Sequence, residues 1–229
     1  MNSFPLHALL TGSVQPYTRP GSRSGIAKQP RLDKVWISPL GLEGDAQGDL
    51  RVHGGPDKAV HHYDYAHYAN WLNELGPLPV LQQPGAFGEN LSTAGLSESN
   101  ICLGDRFQLG GALLEVSQSR QPCWKLNDRF NVPNMAKRVQ DSGRTGWYYR
   151  VLRPGLVHVS DVLTLVERPH PAWPLQRINH ILYTPTLDPD QLRPMLELPL
   201  VPSHHKLALR RLEQGQVEDW TKRIEGPEK

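Results

Sequence analysis

Glycine and proline interrupt this chain so often that a β-rich or irregular fold is favoured over a helical bundle. The 229 residues include 20 Gly and 21 Pro. Both favour turns, because glycine adopts left-handed backbone conformations and proline lacks a backbone N–H. Up to residue 167 the segments between turns are short and apolar, as in "LHALLTGSV" and "LVHVSDVLTLV". These spacings predict a mainly β body with few helices.

The composition changes after the proline-rich segment "RPHPAWP", residues 168–174. The segments that follow have helical spacing, and Asp188 and Ser203 have the side chains that commonly cap helix N-termini. We therefore predict two domains: a β body over 1–167 and a small all-α domain over 173–225.

Three local patterns predict elements within the β body. The spacing of Val60, Tyr63, His67 and Trp71 predicts one helix from Asp57 to Leu75. Gly110 and Gly111 join two apolar runs and predict a β-hairpin. The segment 85–100, "GAFGENLSTAGLSESN", is polar and rich in small residues, which predicts a loop.

Composition excludes several classes of protein. A net charge of +2 is too small for a nucleic-acid polycation, so no nucleic-acid partner is expected. The N-terminus lacks the pattern of a signal peptide, and no apolar run approaches the ~20 residues of a membrane helix. Two cysteines do not make a secreted disulfide scaffold. We expect a cytoplasmic protein without a membrane partner, and the sequence leaves its oligomeric state open.

Cys123 is the most reactive candidate in the sequence. It lies between Arg120 and Lys125 in "SQSRQPCWKLND", which we predict to be the loop after a strand. Neighbouring cations favour the reactive thiolate, so Cys123 suits a nucleophile, a persulfide carrier or a soft-metal ligand. A buried structural role is the alternative. For Cys102, which we predict to lie on a strand, a core role is favoured.

Two other segments carry candidate binding groups. In "VHGGPDKAV", Gly54 and Gly55 precede Lys58, and such a turn can bind an anion through backbone N–H groups and a cation. Glu89 and Asn90 lie in a polar loop that either satisfies its own hydrogen bonds or binds a polar ligand. The histidines lack the spacing of a zinc motif.

Five segments, in this order, resemble the MOSC domain (molybdenum cofactor sulfurase C-terminal domain): "GLEGDAQGDLRVHGGPDKAVHHY", "FGENLSTAGL", "ICLGDRF", "LEVSQSRQPCWKL" and "GRTGWYYRVLRPG". The chain is most similar to the YiiM-type branch, which is linked to resistance against N-hydroxylated purines and carries a C-terminal three-helix domain. The resemblance covers most of the chain and implies a β-barrel-like body. Ser119 stands where relatives often carry proline.

The resemblance implies a cofactor and a set of residues that bind it. The cofactor is the molybdenum cofactor, a phosphorylated pterin whose dithiolene sulfurs hold the metal, and pyridoxal phosphate is not required. Cys123 corresponds to the cysteine that ligates molybdenum. Candidates for the phosphate site are Arg120, Lys58, Gly54 and Gly55, and candidates for hydrogen bonds to the cofactor are Asn90, Thr93 and His53. His53 is also a candidate proton donor.

The function implied by the resemblance is reduction of N-hydroxylated compounds, such as N-hydroxylated purine bases, to amines. The sequence has no flavin or nicotinamide motif, so we expect a separate reductase to supply electrons. Two alternatives use the same thiol: a sulfur-relay protein that carries a persulfide on Cys123, and a cofactor carrier without turnover.

Overall fold

The computed structural model describes residues 2–227, except for the side chains of Arg51 and Val52. The strands are β1 (Ser3–Thr11), β2 (Gln15–Pro16), β3 (Arg23–Ser24), β4 (Gln29–Pro30), β5 (Val35–Ser38), β6 (Gly41–Leu42), β7 (Val60–Asp64), β8 (Leu91–Thr93), β9 (Arg106–Leu109), β10 (Ala112–Ser119), β11 (Trp147–Arg153), β12 (Gly155–Val157) and β13 (Val162–Glu167). The helices are α1 (Leu50–His53), α2 (Ala66–Leu75), α3 (Lys125–Phe130), α4 (Met135–Ser142), α5 (Leu175–Tyr183), α6 (Pro189–Leu196), α7 (Pro202–Gln214) and α8 (Thr221–Glu225). Short 3-10 turns span Pro56–Lys58 and Pro79–Leu81.

Seven strands close into a barrel. Their order is β13-β9-β10-β11-β7-β8-β1, and β1 returns to pair with β13, with Ser3 opposite Thr164. Because the barrel is closed, each of these seven strands pairs with a neighbouring strand on both sides. β5, β6 and β12 form a separate three-stranded sheet, with Leu156 opposite Trp36. The predicted fold class, a mainly β body followed by helices, is confirmed.

The barrel interior and the C-terminal helices share one apolar core. Side chains of the barrel strands, such as Phe107 and Leu114, belong to the same buried cluster as Ile178 of α5 and Leu192 of α6. A second cluster lies under α2, α3 and α4 and includes Trp71. The C-terminal helices are therefore packed on the barrel rather than tethered beside it.

The predicted hairpin is confirmed, because β9 and β10 pair through Leu109 and Ala112 across Gly110 and Gly111. Asp188 caps α6 as predicted, since its carboxylate accepts a hydrogen bond from Asp190 N (2.9 Å). The predicted cap at Ser203 is wrong: α7 begins at Pro202, whose fixed φ suits the first helical position.

The predicted helix from Asp57 to Leu75 is correct only in its second half. Val60–Asp64 is strand β7, which pairs with β11 on one side and with β8 on the other. All five residues are buried, so the strand lacks the alternation of apolar and polar residues that a half-exposed strand shows. Likewise, the predicted loop 85–100 contains strand β8.

Candidate functional site

Cys123 lies at the junction of a strand and a helix. β10 ends at Ser119 and α3 begins at Lys125. The carbonyl of Cys123 accepts a hydrogen bond from Leu126 N (3.0 Å), so this residue opens the turn into α3. Its side chain is partly exposed, whereas Cys102 is buried. The prediction of a loop after a strand is confirmed, and Cys102 has the core position that was favoured.

Cys123 opens onto a cleft with an empty volume of about 640 Å³, part of which is open to solvent. The walls include residues from the segments 24–28, 45–48, 87–90 and 120–125. We call this space the Cys123 cleft.

Two glycines allow the loops of one wall to meet. A Cβ at Gly25 would lie 2.0 Å from the carbonyl oxygen of Ala46, and a Cβ at Gly48 would lie 2.2 Å from that of Arg23. Only glycine permits two backbones to approach so closely. The glycines in "SGIA" and "GDAQGD" therefore bring two segments that are distant in sequence to the same side of the cleft.

The lining of the cleft is strongly cationic. It contains Lys28, Lys58, Arg120 and Lys125, and among the described lining residues Asp45 is the one carboxylate. Asp45 forms a buried ion pair with Lys28. Burial lowers the pKa of the Lys58 and Lys125 ammonium groups, which means that their charges lack full solvation. An anion bound in the cleft would supply the missing stabilisation.

Two buried side chains present nitrogen atoms that have no hydrogen-bond partner in the described structure. These atoms are Nη1 of Arg120 and Nε2 of His61. Both residues line the cleft and both are about nine-tenths buried or more, with 6% and 4% of their surfaces exposed. Because a buried polar atom without a partner is costly, such atoms indicate a place where a polar ligand binds.

His53 faces the thiol. Its Nε2 lies 3.6 Å from the Cys123 sulfur, and its Nδ1 is buried without a partner in the described structure. Burial, together with the nearby charges of Lys125, Lys58 and Arg120, lowers the pKa of His53 to about 4. The imidazole is therefore neutral at pH 7, and one of its two nitrogens carries a proton.

The cleft brings together five of the eight predicted site residues: Cys123, His53, Lys58, Arg120 and Asn90. The side-chain amide of Asn90, however, forms hydrogen bonds with other groups of the protein. Its Nδ2 donates to the carbonyl of Leu10 (3.1 Å) and to Asp45 (2.9 Å), and its Oδ1 accepts from His61 N (3.0 Å). Its amide therefore joins β1, β7 and the cleft wall.

Thr93, Gly54 and Gly55 lie outside the lining of the cleft as the described residues define it. Thr93 is fully buried on β8, and its hydroxyl is 2.9 Å from Nε2 of His62. The expected hydrogen bond from Thr93 to the cofactor does not agree with this geometry, since the side chain faces the core. The two glycines turn the chain between α1 and Lys58 without entering the lining.

The polar loop at Glu89 satisfies its own hydrogen bonds. The Glu89 carboxylate is fully buried and accepts from the backbone N–H groups of Gly85 (2.7 Å) and Phe87 (3.1 Å), and from the hydroxyl of Tyr68 (2.5 Å). The loop was expected either to satisfy its own hydrogen bonds or to bind a polar ligand. At Glu89 the structure favours the first alternative.

Sequence reasoning missed His61, Tyr148, Lys28 and Asp45 as residues of the cleft. His61 and His62 are adjacent on β7, so their side chains point to opposite faces. His61 enters the cleft beside Tyr148, with ring centroids 5.0 Å apart, whereas His62 is bound in the core. Had the segment been recognised as a strand, its period of two would have separated these histidines.

The residues of the cleft fit a phosphorylated cofactor with a thiolate-binding metal. Cys123 supplies a soft sulfur ligand, and Lys58, Lys125 and Arg120 supply positive charge. The unpartnered Nη1 of Arg120 supplies a donor, and the unpartnered Nε2 of His61 supplies a further polar group. No cluster of three or more His, Cys, Asp or Glu residues suited to a metal ion occurs within the described chain. A metal here would take its other ligands from the cofactor.

Comparisons with known families agree with this fold. Residues 49–164 match the model of the MOSC domain, and residues 173–215 match the model of the YiiM-like 3-alpha helix domain. Protein YiiM of Escherichia coli is 40% identical over 217 residues, which cover 94% of this chain and 96% of that protein. A reductase of Gibberella moniliformis is 39% identical over 82% of this chain, which corresponds to 34% of that longer protein.

Solved structures show the same architecture. The crystal structure of YiiM from Escherichia coli has a TM-score of 0.81, with 33% identity, and the match covers 97% of this chain and 98% of that one. YiiM from Geobacillus stearothermophilus has a TM-score of 0.77, with 31% identity, and the match covers 91% of this chain and 99% of that one.

The barrel, the cationic cleft and these matches define the class of the protein: it belongs to the MOSC domain family. Within that family its similarity extends over both the barrel and the C-terminal helices to proteins of the YiiM type. In the described chain no helix has the length and apolar character needed to cross a bilayer.

Proposed function

We propose that the protein is a molybdenum-cofactor-dependent reductase that converts N-hydroxylated compounds, such as N-hydroxylated purine bases, to amines. The observation that carries the proposal is the partly exposed sulfur of Cys123 in a cleft lined by Lys58, Arg120 and Lys125. The MOSC match and the relative named a reductase support it.

In this proposal Cys123 is the protein ligand of molybdenum. A thiol must lose its proton to bind a metal, so binding of the cofactor here would release the proton of Cys123. Lys58, Arg120 and Lys125 bind the phosphate of the pterin, and His61 donates to or accepts from its polar edge. When bound, the cofactor supplies the two-electron chemistry that cleaves the N–O bond.

His53 has a separate role in the proposal. Its Nε2 lies 3.6 Å from the sulfur of Cys123, so it lies beside the atom that would hold the metal. Release of the substrate oxygen as water requires two protons, and His53 would supply one of them once the negative charge of the bound cofactor raises its pKa from about 4. Electrons come from a separate reductase.

The test compares C123S with C102S in protein from a host that makes the cofactor. Molybdenum and pterin content are measured first, and then the reduction of an N-hydroxylated purine with a chemical electron donor. We expect C123S to lose turnover about a hundredfold, because loss of even the groups that support a metal ligand costs about 10–100-fold. C102S, which alters a buried cysteine outside the cleft lining, should keep turnover.

Full N-hydroxy reduction by C123S contradicts the proposal. A wild-type protein that contains no molybdenum after isolation from that host, but carries a persulfide on Cys123, indicates the sulfur-relay alternative. Molybdenum and pterin without turnover indicate a cofactor carrier.

A further inference from the structure

The last described residues fold back onto the segment that carries Cys123. We call residues 218–227 the C-terminal strap. They lie beyond residue 215, where the match to the three-helix domain ends. The strap is anchored to the helices at Glu218, whose carboxylate binds the buried guanidinium of Arg211 (2.7 Å) and the indole N–H of Trp220 (2.6 Å).

Arg223 in the strap binds both neighbours of Cys123. Its Nη1 donates to the carbonyl of Pro122 (2.5 Å), and its own carbonyl accepts from the backbone N–H of Trp124 (2.8 Å). Its Nη2 donates to Gln140 on α4 (2.6 Å). Arg223 alone thus binds the backbone on each side of the thiol and connects this backbone to a helix of the barrel body.

The rest of the strap supports the same segment. The carbonyl of Ile224 accepts from Nδ2 of Asn127 (2.8 Å), and the carbonyl of Glu225 accepts from Nη1 of Arg19 (2.7 Å). The guanidinium of Arg19 also lies 4.2 Å from the centre of the Trp124 ring. These contacts bring the strap to the face of Trp124 and α3.

The helical domain binds the other end of the loop. The hydroxyl of Tyr183, the last residue of α5, donates to the carbonyl of Arg120 (2.8 Å). From the barrel side, Arg120 N donates to the carbonyl of Gly146 (3.0 Å). Without the strap, the stretch between Arg120 and α3 would lose the hydrogen bonds that Arg223 forms with the carbonyl of Pro122 and with the backbone N–H of Trp124.

We infer that Arg223 is a positioning residue, which holds the 120–124 loop from the C-terminus so that the Cys123 sulfur stays directed into the cleft. The contacts argue against simple packing, because Arg223 is partly buried and its guanidinium offsets the cost of that burial with hydrogen bonds to the carbonyl of Pro122 and to Gln140. The effect on catalysis rests on the proposed function; the effect on the loop does not.

The test is hydrogen–deuterium exchange of R223Q, R223K and K222Q, read by mass spectrometry on the peptide that covers residues 121–126. Lys222 is the matched control, since it is an exposed cation on the same short helix. We expect exchange in this peptide to be about fivefold faster in R223Q, the change that loss of one net hydrogen bond produces. R223K, which retains the charge and one contact, should show a smaller increase.

Exchange in the hairpin of β9 and β10, residues 106–119, should stay unchanged in all three variants. This control peptide separates a local effect from general destabilisation. Equal exchange of residues 121–126 in R223Q and K222Q would overturn the inference, as would a uniform increase across all peptides. If R223Q does not fold, R223K decides: exchange identical to wild type overturns the inference.

The consequence for the site is measured on the same variants. In cofactor-loaded protein, we expect kcat to fall about fivefold in R223Q with little change in KM, because the metal ligand and not the substrate contact is displaced. The two proposals can fail separately. If wild-type protein has no N-hydroxy reductase activity but R223Q still exchanges faster in residues 121–126, the proposed function is refuted and the role of Arg223 is kept.

Discussion

The sulfur of Cys123 lies 3.6 Å from Nε2 of His53, although 70 positions separate the two residues in the chain. The contact joins the segment "VHGGPDKAV", a candidate anion-binding turn, to the segment "SRQPCW", which carries the candidate reactive thiol. It also places a neutral imidazole among three cations, which makes His53 a sensitive reporter of what binds in the cleft.

Binding of the phosphorylated cofactor should raise the pKa of His53 from about 4. The negative phosphate offsets the charges of Lys58, Lys125 and Arg120, and an added negative charge favours the imidazolium. The measurement is an NMR titration of the imidazole Cε1–H signals with and without cofactor, with H53Q to assign the resonance. His62 is the internal control, because burial alone lowers its pKa to about 3 and it faces the core. An unchanged His53 titration would contradict binding of an anion in the cleft.

Neutralising Arg120 should weaken cofactor retention about tenfold. A charge-assisted hydrogen bond contributes about 1.5–3 kcal/mol, and Nη1 of Arg120 is buried without a partner in the described structure. The measurement is pterin content after gel filtration of R120Q at two salt concentrations. K137Q is the control, since Lys137 is exposed and pairs with Asp141 one turn away on α4. Equal retention by the two variants would remove Arg120 from the phosphate site.

The protein should lose stability as the pH falls below about 6.5, the ordinary pKa of histidine. Burial lowers the pKa of His62 to about 3 and that of His204 to about 4, so the unfolded chain binds protons that the folded chain does not. The stability contributed by each neutral histidine is complete above 6.5 and decreases as the pH falls towards the folded-state pKa. Each such group contributes at most about 1.4 kcal/mol per pH unit.

The histidine prediction is checked by urea unfolding of H204Q between pH 7 and pH 4.5. H204Q should show a shallower loss of stability with acid than wild type, whereas H205Q, which alters the exposed neighbour on α7, should match wild type. Equal pH slopes in H204Q and H205Q would rule out His204 as a source of the acid sensitivity.

Replacing Asn90 should destabilise the fold without a selective effect on the cofactor. N90A removes three hydrogen bonds, and leaves the carbonyl of Leu10 and the backbone N–H of His61 buried without those partners. We expect a loss of about 2–4 kcal/mol in the free energy of unfolding. The control N100A alters an exposed asparagine whose side chain bonds to Ser97 N and to the carbonyl of Gly95 in its own loop. Loss of pterin from N90A at unchanged stability would restore Asn90 as a cofactor ligand.

Features that depend on a few neighbouring residues followed from the sequence. Gly110 and Gly111 mark a hairpin, Asp188 caps a helix, and Cys123 follows a strand, because turn and cap chemistry acts over three or four residues. The order of the MOSC-like segments also indicated the barrel. The segment 60–64 was misassigned, since a strand buried between two neighbours has no pattern that separates it from a buried helix.

The amino-acid sequence by itself determined that a cation-flanked thiol would lie in the loop after a strand of the β body. Only the tertiary structure decided which groups surround that thiol. His61 lines the cleft, whereas Thr93 faces the core. The side chain of Asn90 forms its hydrogen bonds within the protein, and Arg223 binds Pro122 across 101 residues of sequence. The physical reason is that these contacts depend on strand pairing and on helix packing across long stretches of chain, which no local spacing encodes.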